Sequence, residues 1–399
     1  MNIAGIIVEY NPMHNGHINH INLCRKHTKA DAVVAVLSGN FVQRGTPSIL
    51  DKWTKARMAL NNGVDLVIEL PVIYSLSSAE FFAQGAVSIL NSLGVVSSLC
   101  FGTEYPDIES IKKISSILVE EPLLFKEKLK EHLASGFDFP TARSLALKEI
   151  TSDDLADYLE KPNSILGIEY CKSLIKFKSN IIPYAVKREG SYTDACLNNN
   201  FSSASSIRKY LKSGNDIELL KNHVPINVFN DLTFLNSLGY NFIDYNHMMP
   251  FLKYKFYTNK DSIKNLPDVS EGIENRIFMA MNQAATFEEL ISLVKTKRYT
   301  HSRISRILTQ FFIGFDSFDS KKLRKERAPY ARVLGFNEKG AMILKKAKSC
   351  ASIPLITKIK PNEFEVMDLE IQATNVYSLL RSNIKFNQDF YTGPVIIKE

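Results

Sequence analysis

The sequence has few cysteines, and no two of them are close enough to form a metal or redox motif. The five cysteines of this 399-residue chain are Cys24, Cys100, Cys171, Cys196 and Cys350. Zinc sites and the disulfide frameworks of small secreted domains both need closely and regularly spaced cysteines. We therefore expect neither kind of site, and we predict reduced, mostly buried thiols.

Long hydrophobic runs are also missing. The first apolar run, from Ile3 to Val8, is interrupted at Glu9, and no basic segment precedes it. A membrane-spanning helix needs about 20 apolar residues, and a signal peptide begins with positive charge. No internal repeat or low-complexity tract is present either. The sequence therefore predicts a globular, cytoplasmic protein with no membrane partner.

Positive charge is present, but it is unevenly distributed. Residues 1–215 hold 23 basic and 22 acidic side chains, whereas residues 216–399 hold 26 and 20, which together give the net charge of +7. Residues 295–348 alone hold 15 basic and 4 acidic side chains. A concentration of positive charge on one part of a chain is typical of proteins that bind a polyanion. We therefore expect a polyanionic partner for the second half.

Short apolar runs alternate with helix-like segments through the first half of the chain. Strands are predicted at residues 3–8, 32–37, 64–71, 98–101 and 181–186. Strands that alternate with helices in this way form a parallel sheet covered on both faces. The predicted fold class is therefore α/β, with a Rossmann-like parallel sheet domain followed by a mainly helical, basic C-terminal domain.

The length of the chain indicates at least two domains. Ser213, Gly214 and Asn215 form a small, polar stretch that suggests a boundary. We predict a catalytic domain over residues 1–215 and a mainly helical domain over residues 216–399. A small α/β element near residues 331–357 is expected within the second domain.

The turn after the first strand holds the most informative residues. Asn11-Pro12 stops the strand, and His14-Asn15-Gly16-His17 then opens a helix-compatible segment that includes His20. Free backbone N–H groups at a helix N-terminus suit a phosphate, and a glycine lets the backbone approach it. His27 lacks this context and is interpreted as an ordinary histidine. The H-x-G-H pattern resembles the signature of the nucleotidyltransferase superfamily, whose members transfer a nucleotidyl group from a nucleoside triphosphate.

Four segments together resemble one family, the bacterial tRNA(Met) cytidine acetate ligases. They are residues 5–17 (GIIVEYNPMHNGH), 38–45 (SGNFVQRG), 65–71 (DLVIELP) and 332–336 (RVLGF). This family activates acetate with ATP as acetyl-adenylate and passes the acetyl group to the exocyclic amine of the wobble cytidine in elongator tRNA(Met). The resemblance therefore implies a nucleotidyltransferase fold, with ATP and acetate as substrates and tRNA as the partner; no DNA is expected.

The resemblance also implies which residues hold ATP. They are Ile7, Val8, Glu9, Tyr10, Asn11, Pro12, Met13, His14, Asn15, Gly16, His17, Ile18, Asn19, His20, Gly102, Asn163, Arg188, Ser206 and Arg208. Two positions depart from the expected pattern. Met13 stands where an aromatic residue is expected, and residues 205–208 follow the I-S-S-T-x-I-R pattern of other nucleotidyltransferases only loosely.

The chemistry of acetate activation agrees with this set of residues. A carboxylate is already ionised at neutral pH, so its attack on the α-phosphate needs positioning and charge neutralisation rather than a strong base. We predict His14, Gly16 and His17 as the catalytic group, with electrostatic roles for the imidazoles. Arg188 and Arg208 would balance the charge of the departing pyrophosphate. Mg²⁺ is expected to arrive bridging the phosphates of ATP, and no protein metal site is predicted.

Asp51 and Lys52 follow the loop after the second strand. They are candidates for contact with the ribose or the phosphates. Capping of the next helix by Asp51 is the alternative interpretation.

The second half contains a candidate RNA-binding segment. The predicted RNA-binding residues are Lys297, Arg298, Tyr299, Arg303 and Arg306. An aromatic ring can stack on an unpaired base while neighbouring cations neutralise phosphates. A basic helix that only faces water is the alternative, because runs of charge are often just solvated.

Two other functions stay open on the sequence alone. A small-molecule nucleotidyltransferase, with a second half that serves oligomerisation, would turn over without RNA. A non-catalytic RNA-binding protein with a degenerate nucleotide fold would keep its function after replacement of His14 or His17. The intact H-x-G-H pattern argues against the second of these.

Overall fold

A computed structural model describes residues 1–151, 153–188, 202–240, 242, 245–380 and 383–398. Within them the strands are β1 (Ile3–Val8), β2 (Ala32–Ser38), β3 (Phe41–Val42), β4 (Thr46–Pro47), β5 (Leu66–Leu70), β6 (Ser98–Thr103), β7 (Ile182–Lys187), β8 (Ala331–Phe336), β9 (Leu355–Ile356) and β10 (Val395–Ile396). The first helices are α1 (Asn15–Thr28), α2 (Lys52–Leu60), α3 (Val72–Ser75), α4 (Ala79–Ser92), α5 (Ile108–Glu120), α6 (Leu123–Ala134), α7 (Phe139–Ile150), α8 (Asp153–Ala156), α9 (Pro162–Lys176) and α10 (Ala204–Lys212).

The remaining helices are α11 (Ile226–Ser237), α12 (Met249–Asn259), α13 (Ile273–Gln283), α14 (Phe287–Val294), α15 (His301–Ile313), α16 (Ser320–Leu323), α17 (Glu338–Cys350), α18 (Glu365–Ser378) and α19 (Gln388–Tyr391). Short 3₁₀ segments cover Asp157–Glu160, Ile217–Asn222, Tyr245–Met248, Lys260–Asn265 and Phe315–Ser317. Among the described residues, no helix is long and apolar enough to cross a membrane.

A mixed sheet forms the centre of the described structure. Its strand order is β10-β8-β5-β2-β1-β6-β7, with β9 also paired to β8, while β3 and β4 form a separate hairpin. The five strands from β5 to β7 in this order run parallel, and β8 runs antiparallel to β5. The chain moves outward from β1 in one direction through β2 and β5, and in the other through β6 and β7. Ligands of such sheets bind at the carboxyl ends of the strands where the order reverses, which here are β1 and β6.

Helices cover both faces of the sheet and bury the central strands β2 and β5 completely. In β2, Val34 and Val36 pack into the core on one face, and Val33 and Ala35 pack into the core on the other. An apolar run without alternation is what a strand buried on both sides requires. The α/β fold prediction is therefore confirmed, as are the strand and helix assignments, apart from shifts of a few residues at their ends.

The sheet extends across the predicted domain boundary. β8 and β10, from the second half of the sequence, are added to it beside β5. The division at residue 215 stays a prediction. The small α/β element near residues 331–357 is present as β8, α17 and β9, and its first strand belongs to the main sheet.

The described cysteines are all free thiols. Cys24, Cys100 and Cys171 are buried, and Cys350 is exposed. Cys196 lies outside the described residues.

Candidate active site at the carboxyl edge of the sheet

The chain leaves β1 through a tight turn that is held in place by the side chain of Asn11. Tyr10 adopts a left-handed conformation with φ of 46°, and the Asn11-Pro12 peptide bond is cis. The side-chain carbonyl of Asn11 accepts a hydrogen bond from the backbone N–H of Ile49 at 2.8 Å. Met13, which stands where an aromatic residue is expected, is completely buried and packs into the core. The turn thus delivers residues 14–20 to the carboxyl edge of the sheet.

His14 and His17 form one stacked pair at the start of α1. Their ring centroids are 3.7 Å apart with an interplanar angle of 29°. The backbone N–H of Gly16 donates to Nδ1 of His14, and the backbone N–H of His14 donates to Nδ1 of His17, both at 3.1 Å. Because Nδ1 acts as an acceptor in each neutral ring, the proton of each ring lies on Nε2. Nε2 of His14 is buried without a partner among the described residues.

The imidazoles of this cluster are neutral at physiological pH. Burial, followed by the nearby guanidinium groups of Arg188 and Arg208, lowers the pKa of His14 to about 3. Burial, followed by Arg188, lowers the pKa of His20 to about 4. The pKa of His17 also lies well below its usual value, through burial and its position beside His14. The pair therefore presents hydrogen-bond donors rather than cations.

Three further predicted ATP-binding residues come together beside β6. Nη1 of Arg188 donates to Oδ1 of Asn163 at 2.9 Å. A Cβ on Gly102 would lie 3.8 Å from Cβ of Arg188 with no closer neighbour, so the space above this glycine is open. β6, the residue after β7 and the first turn of α9 supply the three residues. The structure therefore places them at one edge, as the resemblance implied.

Glu104 organises this edge, and the sequence analysis missed it. Its Oε1 accepts from Nδ2 of Asn163 at 2.7 Å, and its Oε2 accepts from the backbone N–H and the hydroxyl of Ser164 at 2.9 and 3.0 Å. Partial burial opposes ionisation, but these hydrogen bonds prevail and lower the pKa of Glu104. The carboxylate therefore occupies the N-terminus of α9 and orients Asn163 towards Arg188. A lone glutamate after a strand gave no signal of this role.

Arg208 reaches the histidine turn from α10. Its Nη1 donates to the backbone carbonyl of Asn11 at 2.7 Å, and its Nη2 donates to the hydroxyl of Ser205 at 3.1 Å. Ser206 is buried, and its hydroxyl donates to the carbonyl of Ser203 at 2.8 Å within the cap of α10. The structure thus brings Arg208 to the site, whereas the hydroxyl of Ser206 serves the helix cap. Contact of either residue with a nucleotide stays a prediction.

Lys55 fixes the ends of β1 and β2 relative to each other. Its ammonium group is fully buried and donates to the carbonyls of Gly39, Ser38 and Glu9 at 2.7, 2.8 and 3.1 Å. Burial lowers the pKa of Lys55 to about 7. The carboxylate of Glu9 accepts from the backbone N–H of Gln43 at 2.7 Å, which ties the β3–β4 hairpin to the same edge.

Lys52, proposed as a ligand contact, lies in a buried ionic cluster instead. Its Nζ is 2.8 Å from carboxylate oxygens of both Glu69 and Asp389 and 3.3 Å from Glu370. The side chain is completely buried, so it cannot contact a ribose or a phosphate. Asp51 accepts from the backbone N–H groups of Trp53 and Thr54, which matches the alternative interpretation as a helix cap.

Arg332 completes this cluster from β8. Its Nη1 lies 2.9 Å from Glu69 and 2.6 Å from Asp389. Burial, followed by the charge of Glu69, raises the pKa of Glu370 to about 8. The two cations Lys52 and Arg332 therefore face three carboxyl groups, one of which holds its proton more tightly than usual. A Cβ on Gly39 would lie 2.9 Å from Oε1 of Glu69, so three of the four segments that carry the family resemblance meet here.

The predicted RNA-binding residues do not form one open surface. Tyr299 is only 7% exposed, and its hydroxyl donates to the carbonyl of Glu271 at 2.6 Å. Arg306 is buried, with Nε 2.8 Å from Asp268. Arg303 is partly buried against the same loop, where it contacts Glu271 at 3.3 Å.

Two of these five residues are exposed. Arg298 lies 2.9 Å from the carboxylate of Glu271, and Lys297 faces solvent. RNA binding by the five residues stays a prediction, and the structure gives Tyr299 and Arg306 a role in packing.

Comparisons with known proteins place this geometry in context. The family described as HIGH Nucleotidyl Transferase matches residues 1–390. The chain is 52% identical to the tRNA(Met) cytidine acetate ligase of Clostridium kluyveri over 405 aligned positions, which cover 100% of this chain and 99% of that protein. It is 49% identical to the enzyme of the same name from Clostridium novyi, with 100% of both chains covered. The crystal structure of Thermotoga maritima TmcAL bound with alpha-thio ATP superposes with a TM-score of 0.90 at 33% identity and covers 100% of both chains.

Proposed function

The chain belongs to the tRNA(Met) cytidine acetate ligase family, and we infer that it activates acetate with ATP and acetylates the wobble cytidine of elongator tRNA(Met) to N4-acetylcytidine. The observation that supports this reaction best is the stacked pair of His14 and His17. Its two Nε2–H donors lie at a helix N-terminus on the carboxyl edge of the sheet, where the phosphates of a nucleotide would be bound.

In the first step, an oxygen of acetate attacks the α-phosphorus of ATP. A new acyl–phosphate bond forms, the bond between the α-phosphorus and the bridging oxygen breaks, and pyrophosphate leaves with the electron pair. His14 and His17 donate hydrogen bonds to the phosphates, and Arg188 and Arg208 offset the charge that develops on pyrophosphate. No side chain needs to remove a proton, since acetate is already ionised.

In the second step, the exocyclic amine of cytidine attacks the carbonyl carbon of acetyl-adenylate. A carbon–nitrogen bond forms, AMP leaves, and the amine loses one proton. The carboxyl edge must therefore hold the mixed anhydride away from water until the base arrives. The hairpin β3–β4, linked to Glu9 through Gln43, lies beside this edge and is the element we assign to that role.

Mg²⁺ would accompany ATP by bridging its phosphates. Among the described residues, no group of three or more histidine, cysteine, aspartate or glutamate side chains could hold a metal ion. We assign the ion to the bound substrate because hard cations usually arrive bridging phosphates. A cytoplasmic location, where the tRNA pool resides, goes with this proposal.

Exchange of labelled pyrophosphate into ATP tests the first step. We expect exchange that depends on acetate and needs no RNA. Exchange of equal rate without acetate would contradict acetate activation and favour a small-molecule nucleotidyltransferase. The second step is tested by mass analysis of tRNA nucleosides from cells lacking the protein, which should have lost acetylated cytidine.

A further inference from the structure

Helix α12 exposes an aromatic face. Tyr254 is 71% exposed, Tyr257 is 67% exposed, and Phe251 is 39% exposed. Residues three apart lie next to each other on a helix, so these rings form one stripe. Leu252 and Phe256, on the other side of the same helix, are buried in the core. Contiguous exposed aromatic surface of this kind often marks a binding site.

An open groove runs beside this stripe. It has a volume of about 490 Å³, and its lining includes Tyr257, Asn259, Lys260, Asp261 and Asn282. One aromatic ring, two amides and an ammonium group are the side chains that a nucleotide needs for stacking, base-edge hydrogen bonds and phosphate contact.

The charge around the groove suits a polyanion. Residues 245–265 hold four lysines and one aspartate, and one of these lysines, Lys255, is paired with Asp316. Lys260 is exposed, and its ammonium group lies 5.7 Å from the ring centroid of Phe278 on α13. Lys264 is paired with Asp261 at 2.7 Å, so that aspartate is already neutralised.

We propose that the α12 face, which we define as Tyr254, Tyr257 and Asn259 of α12 with the adjacent Lys260 and with Asn282 of α13, binds unpaired nucleotides of the tRNA substrate. The two tyrosines stack on bases, and Lys260 contacts a phosphate. This inference rests on the proposed function. It assigns base stacking to Tyr254 and Tyr257, which are exposed, rather than to Tyr299, which is buried.

A series of side-chain contacts links helix α12 to the active site. Phe251 contacts Phe312 of α15 with ring centroids 5.8 Å apart. On the same helix α15, the hydroxyls of Ser305 and Thr309 both donate to the carbonyl of Gly45 at 2.7 Å. Gly45 belongs to the turn of the β3–β4 hairpin, which reaches the histidine turn through Glu9. RNA bound on α12 would therefore lie one helix away from the hairpin that flanks the adenylate.

A protein partner is the other class of occupant for an exposed aromatic stripe. Protein interfaces are depleted in lysine at their cores. Here an exposed lysine lines the groove beside the rings, and the segment is positively charged. The charge therefore favours a nucleic acid over a second protein.

The test measures tRNA affinity and adenylation separately. We expect Tyr254→Ala and Tyr257→Ala each to raise the Kd for elongator tRNA(Met) about tenfold, because each loses one stacking platform. Tyr254→Phe and Tyr257→Phe keep the ring and should retain most of the affinity. Lys260→Glu should weaken binding and reduce its salt dependence. Phe234→Ala, at an exposed aromatic residue on α11, is the matched control and should leave the Kd unchanged.

Acetate-dependent pyrophosphate exchange should be unchanged in all of these variants. Kd values within twofold of the unsubstituted protein for both alanine variants would overturn the proposal. A shift in oligomeric state by sedimentation velocity, without a change in tRNA binding, would also overturn it by identifying a protein interface. Failure of the unsubstituted protein itself to show acetate-dependent exchange would instead contradict the proposed function.

Discussion

Arg332 and Glu69 join two strands that run in opposite directions. Nη1 of Arg332 on β8 lies 2.9 Å from Oε2 of Glu69 on β5, and both side chains are almost completely buried. Glu69 also holds Lys52 at the start of α2. The carboxylate of Glu69 on β5 is therefore connected both to α2, beside the site, and to β8, which comes from the second half of the sequence.

Replacement of Arg332 by methionine should strongly destabilise the protein. Removing one partner of a buried ion pair leaves an uncompensated charge and typically costs about 3–5 kcal/mol. Chemical denaturation should show this loss in the free energy of unfolding. Arg57→Met is the matched control, because Arg57 pairs with Asp231 at 3.3 Å on the surface, where a pair contributes at most about 1 kcal/mol. Equal losses for the two variants would contradict a special role for the buried cluster.

His14→Ala and His17→Ala should each lower the rate of acetate-dependent pyrophosphate exchange by ~10²–10³, the usual effect of losing one transition-state donor. His27→Ala is the control, since His27 is exposed at the other end of α1. Far-ultraviolet circular dichroism would establish that each variant is folded. A normal rate in both His14→Ala and His17→Ala would remove the histidine pair from the mechanism.

The histidine cluster should make folding sensitive to acid. The pKa of His20 is about 4 in the folded protein and near 6.5 when unfolded, so the unfolded chain binds more protons between these values. The free energy of unfolding should therefore fall as the pH drops from about 6.5 towards 4. His20→Gln removes this contribution and should flatten the curve.

The effect of pH is best measured as the difference in the free energy of unfolding between the unsubstituted protein and His20→Gln. Glu370, with a pKa raised to about 8, titrates in the opposite sense: its contribution to stability is largest at low pH and is lost as the pH rises through 8. It is present in both proteins and cancels in the difference. Parallel curves for the unsubstituted protein and His20→Gln would contradict a depressed histidine pKa.

Glu104→Gln tests the positioning of Asn163 and Arg188. The amide group cannot accept from both Asn163 and Ser164 as the carboxylate does, so Asn163 should lose its orientation. We expect the KM for ATP to rise about tenfold with a smaller change in kcat. Glu109→Gln, at a largely exposed glutamate near the start of α5, serves as the control. A fall in kcat with an unchanged KM would rule out the positioning role.

The segment of residues 295–306 can be tested for RNA contact as distinct from packing. Arg306→Met should lower the free energy of unfolding, because it leaves the buried carboxylate of Asp268 with one cation fewer. Lys297→Glu should leave stability unchanged and, if the segment contacts tRNA, raise the Kd. Unchanged tRNA affinity in Lys297→Glu would leave the segment a structural role only.

The fold and the family were predictable because they depend on local patterns. Apolar runs without alternation identified β1, β2 and β5, and the Asn-Pro stop with two spaced histidines identified the turn. The predicted family and the α/β fold are confirmed. Only the resemblance named Asn163 and Arg188 as residues that hold ATP, and that role stays a prediction; their contact with each other is a finding of the structure.

Residues whose roles depend on distant partners could not be predicted. Glu104 and Lys55 act on atoms contributed by other elements, so their surroundings in the sequence give no signal. The basic count over residues 295–348 was correct, yet it could not reveal that Asp268 neutralises Arg306. The composition gives the number of charged residues, but only the folded structure shows which of them are exposed to water.

The ionic cluster also constrains the order of events during synthesis. Glu69 and Lys52 leave the ribosome early, but Asp389 follows only after on the order of tens of seconds of further translation. Until then, Lys52 lacks Asp389 as a partner, Glu69 lacks Arg332, and β5 is not yet paired with β8. The buried cluster can therefore be completed only after the chain has been synthesised through Asp389.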